Sequence, residues 1–428
     1  MNLVEISQES LKNLKNNGAE FASTLSSHTS FDELVYENDG FTLLRSVDEY
    51  SSSQTAITEN KKATYSVNQV TPEEIQKAAK KTLEMTRAGQ ADEAFAISEG
   101  PNKMEHNYGP EQADKEAMRS LIQKFIKEAD EKFPEIKLRS VTVKFNQGRT
   151  HFMNSNGVEA NIRKGYYTFS VLFNAQDEKV SSSMNYDGLD FTDFNLNLLG
   201  EERFGRTFRD TIAHLKAEKL GQNVKGKAIF MPQCWRDFIS YTLNHISAGT
   251  LIAKTSRLQN KIGEKVASEL FHLESRPQDE IFANPNFLTA DGIETENQVI
   301  FDNGVLKTYL LDLWGKNKLG KEKVSNFAGR LYMPQGKTDL EDMISSIEEG
   351  ILVGRFSGGR PNTNGDFSGI AKNSFYIKDG KIDRPLSETM ISGNLFDVLE
   401  NIYSTSTEVY QNGTCHLPYI ASDGISIS

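Results

Sequence analysis

Apolar positions fall at helical spacing in some stretches of the chain and alternate in others. Residues 3–17 read as a short amphipathic helix, and 33–68 alternate around Asn38-Asp39-Gly40, which predicts antiparallel strands. Thr71-Pro72-Glu73-Glu74 then predicts a helix start with a capping box, the helix running to about Arg87. The polar stretch 89–112 reads as a loop or boundary. Met118, Leu121, Ile122, Phe125 and Ile126 predict a helix over 111–132. Strands are expected at 138–146, 149–154, 158–174 and 178–186, with Asn156-Gly157 as a hairpin turn, and a helix at 200–219.

Beyond Lys227 a short apolar strand, Ala228-Ile229-Phe230-Met231, leads into a helix over 232–248. Strands are expected at 266–274, 295–301, 305–312, 351–355 and 366–377, with hairpins at Asp302-Asn303-Gly304 and Asp379-Gly380. Helices at 339–349, opened by a Thr338…Glu341 capping box, and at 394–402 interrupt them. Strands and helices do not alternate regularly, so the predicted class is α+β. An N-terminal mixed helix and antiparallel-sheet region precedes a β-rich C-terminal domain with a few helices. The expected segments are 1–110 (N-terminal α+β), 111–225 (middle α+β) and 226–428 (β-rich).

Composition narrows the partners. Hydrophobic residues make up 37% and charged residues 25% of 428 residues, enough to bury a core. With 59 acidic against 48 basic residues the formal net charge is −11, which disfavours direct nucleic-acid binding. No apolar run has membrane-spanning length, and the first residues lack the pattern of a signal peptide. Two cysteines, Cys234 and Cys415, are too few for a disulfide framework and fit a cytoplasmic protein.

Seven histidines occur, none paired with another across a Glu at metalloprotease spacing, and there is no Cys-x-x-Cys. Neither a Gly-x-Ser-x-Gly elbow nor a phosphate-binding loop is found. The Gly-rich run from Ser357 to Asp366 reads foremost as a long turn, with a ligand-approaching loop as the alternative. Cys415-His416 looks like a nucleophile–base pair, but neighbours in a strand point to opposite faces. Cys234 reads as a buried thiol and His245 as a packed or surface histidine.

Seven segments, in order, resemble the TldD/PmbA family, also known as candidate modulators of DNA gyrase. They are Met153–Val158, Gln259–Ser268, Asp291–Thr295, Ile300–Lys307, Thr363–Ser368, Tyr376–Lys381 and Gln411–Pro418. The resemblance implies an N-terminal α+β part and a β-rich C-terminal part. TldD-type members resemble zinc metallopeptidases, with a His-Glu-x-x-x-His helix and a later cysteine. PmbA-type members pair with them and lack those ligands.

Counted back from Gly263-Glu264, the motif positions here are Ile239, Ser240 and Asn244, and the late cysteine falls at Asn412. No catalytic or metal-ligating residue is therefore expected, and no cofactor, zinc being held only by a TldD-type partner. The expected function is a PmbA/TldE-like, non-catalytic subunit of a TldD-type peptidase assembly that handles unfolded protein or peptide. Its expected partner is a TldD-type subunit or a second copy of itself as a dimer. Expected cleft residues are Asn364, Asp366, Ser368, Asn412, Cys415 and His416, with edge-strand addition as the binding mode. The alternatives are a peptidase acting through Cys415 or His416, and a module binding a protein such as DNA gyrase.

Overall fold

Asn2 opens helix α1 (Leu3–Asn16): its side chain accepts from the Glu5 N–H while the Glu5 carboxylate accepts from the Asn2 N–H, a closed capping box. Strands β1 (Phe21–Glu37), β2 (Gly40–Thr58) and β3 (Lys61–Val67) follow as an antiparallel meander. Its turns are Asn38-Asp39 and Glu59-Asn60, all four residues at positive φ, as two-residue hairpins require. The computed structural model describes residues 1–200, 203–322, 329–387 and 389–428.

Helix α2 (Pro72–Ala88) starts at Thr71, whose hydroxyl accepts the Glu74 N–H at 3.3 Å. The expected box is only half made, because the Glu74 carboxylate takes Lys77 instead. Next come β4 (Asn102–Tyr108), α3 (Lys115–Lys132), β5 (Ile136–Asn154), β6 (Val158–Ala175), β7 (Asn185–Phe191) and α4 (Phe204–Ala213). The strands form one sheet in the order β3-β2-β1-β5-β6-β4. The first half of β6 pairs with β4 in parallel, and the second half pairs with β7 in antiparallel. Phe125 of α3 packs edge-on against Phe169 at 4.8 Å, in a cluster with Phe173, Phe204 and Phe208.

The second half is built on a mixed sheet. Strand β8 (Val224–Phe230) leads into α5 (Pro232–His245) and α6 (Ala248–Ile252). Then follow β9 (Leu273–Ser275), β10 (Gln298–Asp302), β11 (Val305–Leu306), α7 (Leu313–Lys318), β12 (Leu331–Tyr332) and α8 (Leu340–Ser345). The chain closes with β13 (Glu349–Val353), β14 (Arg355–Ser357), β15 (Asp366–Lys372), β16 (Ser374–Lys378), β17 (Lys381–Leu386), β18 (Thr389–Asn394), α9 (Leu395–Glu400), β19 (Ile402–Gln411) and β20 (Cys415–Ile427). The long strand β20 is the hub, pairing with β8, β12, β18 and β19. The α+β class stands, with a mixed helix-and-sheet half followed by a β-rich half.

The halves are pressed together. A Cβ at Gly292, where φ is +77°, would lie 2.1 Å from the Phe152 ring, so this turn sits directly on the first sheet. The Asp92 carboxylate takes Trp314 Nε1–H and Lys318 Nζ–H, at 3.1 and 2.9 Å. Lys164 donates to Asn284 Oδ1 and the Pro285 carbonyl, and burial brings its pKa down to about 8.

Several expected elements are corrected. The stretch 89–112 is not all loop but contains β4, whose parallel partner β6 lies about fifty residues on. The strands expected at 138–146 and 149–154 are one continuous β5. The strand expected at 178–186 is β7, starting at Asn185. Of 266–274 only the last two residues are strand, as the start of Leu273–Ser275, and of 305–312 only Val305–Leu306, the rest being irregular chain. The helix expected at 200–219 is regular only over Phe204–Ala213, and its residues 201–202 lie outside the described residues. The Thr338 capping box does not form. Asp339 is the cap residue, and both oxygens of Glu408 take the Leu340 N–H.

Candidate functional site

Helix α5 sets the site. It buries Cys234, Trp235, Phe238, Ile239 and Leu243 in the C-terminal core. Gln233, Arg236, Asp237 and Ser240, spaced i, i+3, i+4 and i+7, are left on its other face. That polar face walls a cleft of about 420 Å³ at the seam of the two halves. The opposing wall is β7 from Asn185 to Gly188, with Thr207, Asp210 and Thr211 of α4. Gly354, Arg355, Asn373, Tyr410 and Asn412 complete the lining.

Hydrogen bonds lock the seam. Asn373 Nδ2 donates to Asn185 Oδ1 at 2.7 Å, and the Tyr410 hydroxyl donates to Asp187 Oδ1 at 2.9 Å. The Asp190 N–H reaches the Asn412 carbonyl at 2.8 Å, and Arg203 reaches the Gln411 carbonyl at 3.2 Å. The Arg355 guanidinium lies over Tyr186, 5.6 Å from its ring centre. Burial raises the pKa of Asp187, against the Tyr410 and Gly188 hydrogen bonds that lower it. Burial also raises Asp210, against Arg206 and His214. The Tyr410 phenol is pushed well up by burial and by Asp187 beside it.

The expected residues divide. Asn412 lines the cleft. Its side-chain oxygen accepts from Thr414 N–H and Oγ1–H, at 3.1 and 2.8 Å, and from Cys415 N–H and Sγ–H, at 3.1 and 3.3 Å. Cys415 is buried, and burial pushes its thiol up to about 11, the reverse of an activated thiolate. His416 turns away, its Nδ1 3.0 Å from the Met333 carbonyl and its ring stacked on Tyr332 at 4.8 Å. The two do not form a nucleophile–base pair.

Asn364, Asp366 and Ser368 do not line this cleft. The Asn364 carbonyl accepts from Arg257 and Asn394, both at 3.0 Å, and Asp366 accepts from Asn394 at 2.8 Å. These bonds tie the Gly-rich run into a closed turn. Asp187, Asp210, Tyr410 and Arg355 were not foreseen as site residues. They come from four elements, β7, α4, β14 and β19, that share no local motif.

The site lies where two family domains meet. Sequence models of the PmbA/TldA metallopeptidase central domain and C-terminal domain match residues 108–209 and 223–428. The chain belongs to the TldD/PmbA family. A metalloprotease PmbA homolog of Buchnera aphidicola is 26% identical over 286 residues, 65% of this chain and 62% of that protein. Another, of Haemophilus influenzae, is 26% identical over 226 residues, 51% of this chain and 49% of its own length. The chain thus spans about half to three-fifths of the length of these relatives. The crystal structure of TldE from Thermococcus kodakarensis aligns with a TM-score of 0.86 at 21% identity, over 98% of this chain and 99% of that one. One from Bacteroides thetaiotaomicron, titled as a candidate modulator of DNA gyrase, gives 0.84 at 23% identity, over 99% and 98%. These two likenesses establish a shared fold.

The TldD/PmbA resemblance implies zinc, and the motif positions here do not fit it. Ile239 is fully buried hydrocarbon, Ser240 opens on the cleft, and Asn244 is exposed on a further face of α5. Asn412 spends its oxygen on the turn to Cys415. His245, one residue beyond the motif, is buried edge-on to Phe396 at 4.9 Å, and burial holds its pKa below the ordinary value. Among the described residues no group of three or more His, Cys, Asp or Glu side chains converges to hold a metal.

Proposed function

We propose that this chain is a PmbA/TldE-like, non-catalytic subunit that holds unfolded polypeptide for a TldD-type zinc metallopeptidase subunit. The reading is carried by one observation. The helix that bears the family's ligand positions still walls a solvent-open polar cleft, while its ligand positions hold Ile239, Ser240 and Asn244. Zinc hydrolysis needs about three protein ligands and a metal-bound water. Polypeptide holding needs only a groove with donors and acceptors.

The partner is a TldD-type chain, or a second copy in a dimer. Free buried cysteines suit a reducing, cytoplasmic setting. Catalysis by Cys415 alone has less support, because its thiol is buried and pushed up. The test is zinc content and peptidase activity of the purified chain, alone and mixed with a TldD-type subunit. Activity in the mixture alone supports the reading. Stoichiometric zinc and cleavage by this chain alone would overturn it.

A further inference from the structure

Strand β2 outruns its outer neighbour. Strand β3 pairs only with Ser52–Thr58, so from Phe41 to Ser51 strand β2 has β1 on one side and, among the described residues, no strand on the other. An open strand edge presents a row of unpaired N–H and C=O groups, and proteins usually blunt one with lysine, proline or a bulge. This stretch contains no Lys and no Pro, and the register shift of the hairpin lies in β1, between Val35 and Tyr36. Its hydrocarbon also stands in solvent: Leu43 is 40%, Leu44 60% and Tyr50 37% exposed. Open backbone beside exposed apolar side chains is the chemistry of a surface that adds a strand.

The order of side chains along this edge complements itself. Residues opposite one another in a sheet share a face, so a two-fold axis normal to the sheet can only oppose residues an even number apart. With the axis at Val47, Arg45 of each strand faces Glu49 of the other, Leu44 faces Tyr50, and Ser46 faces Asp48. The neighbouring registers are worse. An axis at Ser46 sets Leu44 against Asp48, one at Arg45 sets that residue against its own copy, and one at Asp48 opposes two carboxylates. The charged groups are available. Half-exposed Arg45 gives its Nε–H to Glu33 at 2.6 Å, and its terminal nitrogens have no acceptor among the described residues. Exposed Glu49 has no hydrogen bond or ion pair among the described residues. The added strand would cover Leu43–Ser51 and stop where β3 begins its pairing, at Ser52.

We propose that the open edge of β2, Leu43–Ser51, joins two copies of this chain as antiparallel strands about a two-fold axis at Val47, making one continuous sheet of their N-terminal halves. This rests on the function proposed above only in taking the second copy, allowed there, as the partner. It is independent of what the α5 cleft holds.

The test is sedimentation velocity of the full chain by itself over a concentration series. The natural chain should sediment as a dimer. Glu49→Arg sets two pairs of like charges opposite each other at an exposed position and should weaken the dimer about tenfold. A second measurement fixes the register. Val47→Cys should cross-link to its own copy under mild oxidation, whereas Leu43→Cys, which faces Ser51, should not. Cys234 and Cys415 are buried and do not compete. A monomer, a dimer indifferent to Glu49→Arg, failure of Val47→Cys to cross-link, or equal cross-linking by Leu43→Cys overturns the inference. A monomer whose polypeptide binding is weakened by Glu49→Arg also overturns it, and gives the edge to substrate. An inactive mixture with a TldD-type subunit, alongside an intact dimer of this chain, would instead sink the subunit reading alone.

Discussion

At Asn412 one side-chain oxygen serves four donors from Thr414 and Cys415. Replacing it by Ala strands those donors in a part-buried turn, at about 1–3 kcal/mol. Asn412→Ala should therefore lower stability by about 2 kcal/mol in urea unfolding, read as a shifted midpoint with unchanged slope. A neutral effect would mean that water replaces the side chain. Cys415 beside it is buried with its thiol held near 11, so thiolate is scarce at neutral pH. Native protein should resist iodoacetamide at both cysteines until it is unfolded. Cys415→Ser should leave activity of a TldD-type mixture unchanged. Loss of activity on that substitution would revive the cysteine route.

At the scale of elements, the register of α5 decides what its residues can do. Ile239 belongs to the buried face and Ser240 to the cleft face. Writing the metal motif back as I239H, S240E and N244H would bury an imidazole in the apolar C-terminal core, where Ile239 is fully buried. The triple variant should lose about 2–4 kcal/mol of stability and gain no stoichiometric zinc by metal analysis. Tight zinc binding would show that the helix can rotate. The β19–β20 turn is equally constrained. A Cβ on Gly413, where φ is +78°, would lie 2.2 Å from the Asp190 carbonyl oxygen. Gly413→Ala should cost about 1–3 kcal/mol and weaken peptide binding, because it pushes the turn off β7 and opens the seam. Asn38-Asp39, Asn303-Gly304 and Asp379-Gly380 turned where expected, since positive φ is a local demand met by local chemistry. Strand β4 was missed because its evidence is a parallel partner in β6, which nothing in its own seven residues announces.

Over the whole molecule, the two halves are clasped near α7. The Ala94 N–H, Lys318 and Trp314 all bond to the Asp92 carboxylate and hold its pKa down to about 2. A carboxyl lowered on folding contributes stability above its unfolded value, about 3.9, and loses it as pH falls toward 2. The clasp should persist at pH 5 and release between about pH 4 and 2, visible as a change in Trp314 fluorescence. Asp92→Asn should abolish that transition. A transition that survives the substitution would assign it elsewhere.

The sequence by itself determined the α+β class, the hairpin turns and the membership of the TldD/PmbA family. Each is set by residues near one another in the chain, or by the order of short segments along it. Only the tertiary structure decided which polar residues share a cleft. Asp187, Asp210, Ser240, Arg355, Tyr410 and Asn412 are scattered over more than two hundred residues. The same is true of Asn364 and Asp366, unusual in sequence yet tied off by Arg257 and Asn394 away from that cleft. The physical reason is that a binding surface is made by long-range packing. The packing of β7 and α4 against α5 and β19 leaves no local periodicity for a chain to display.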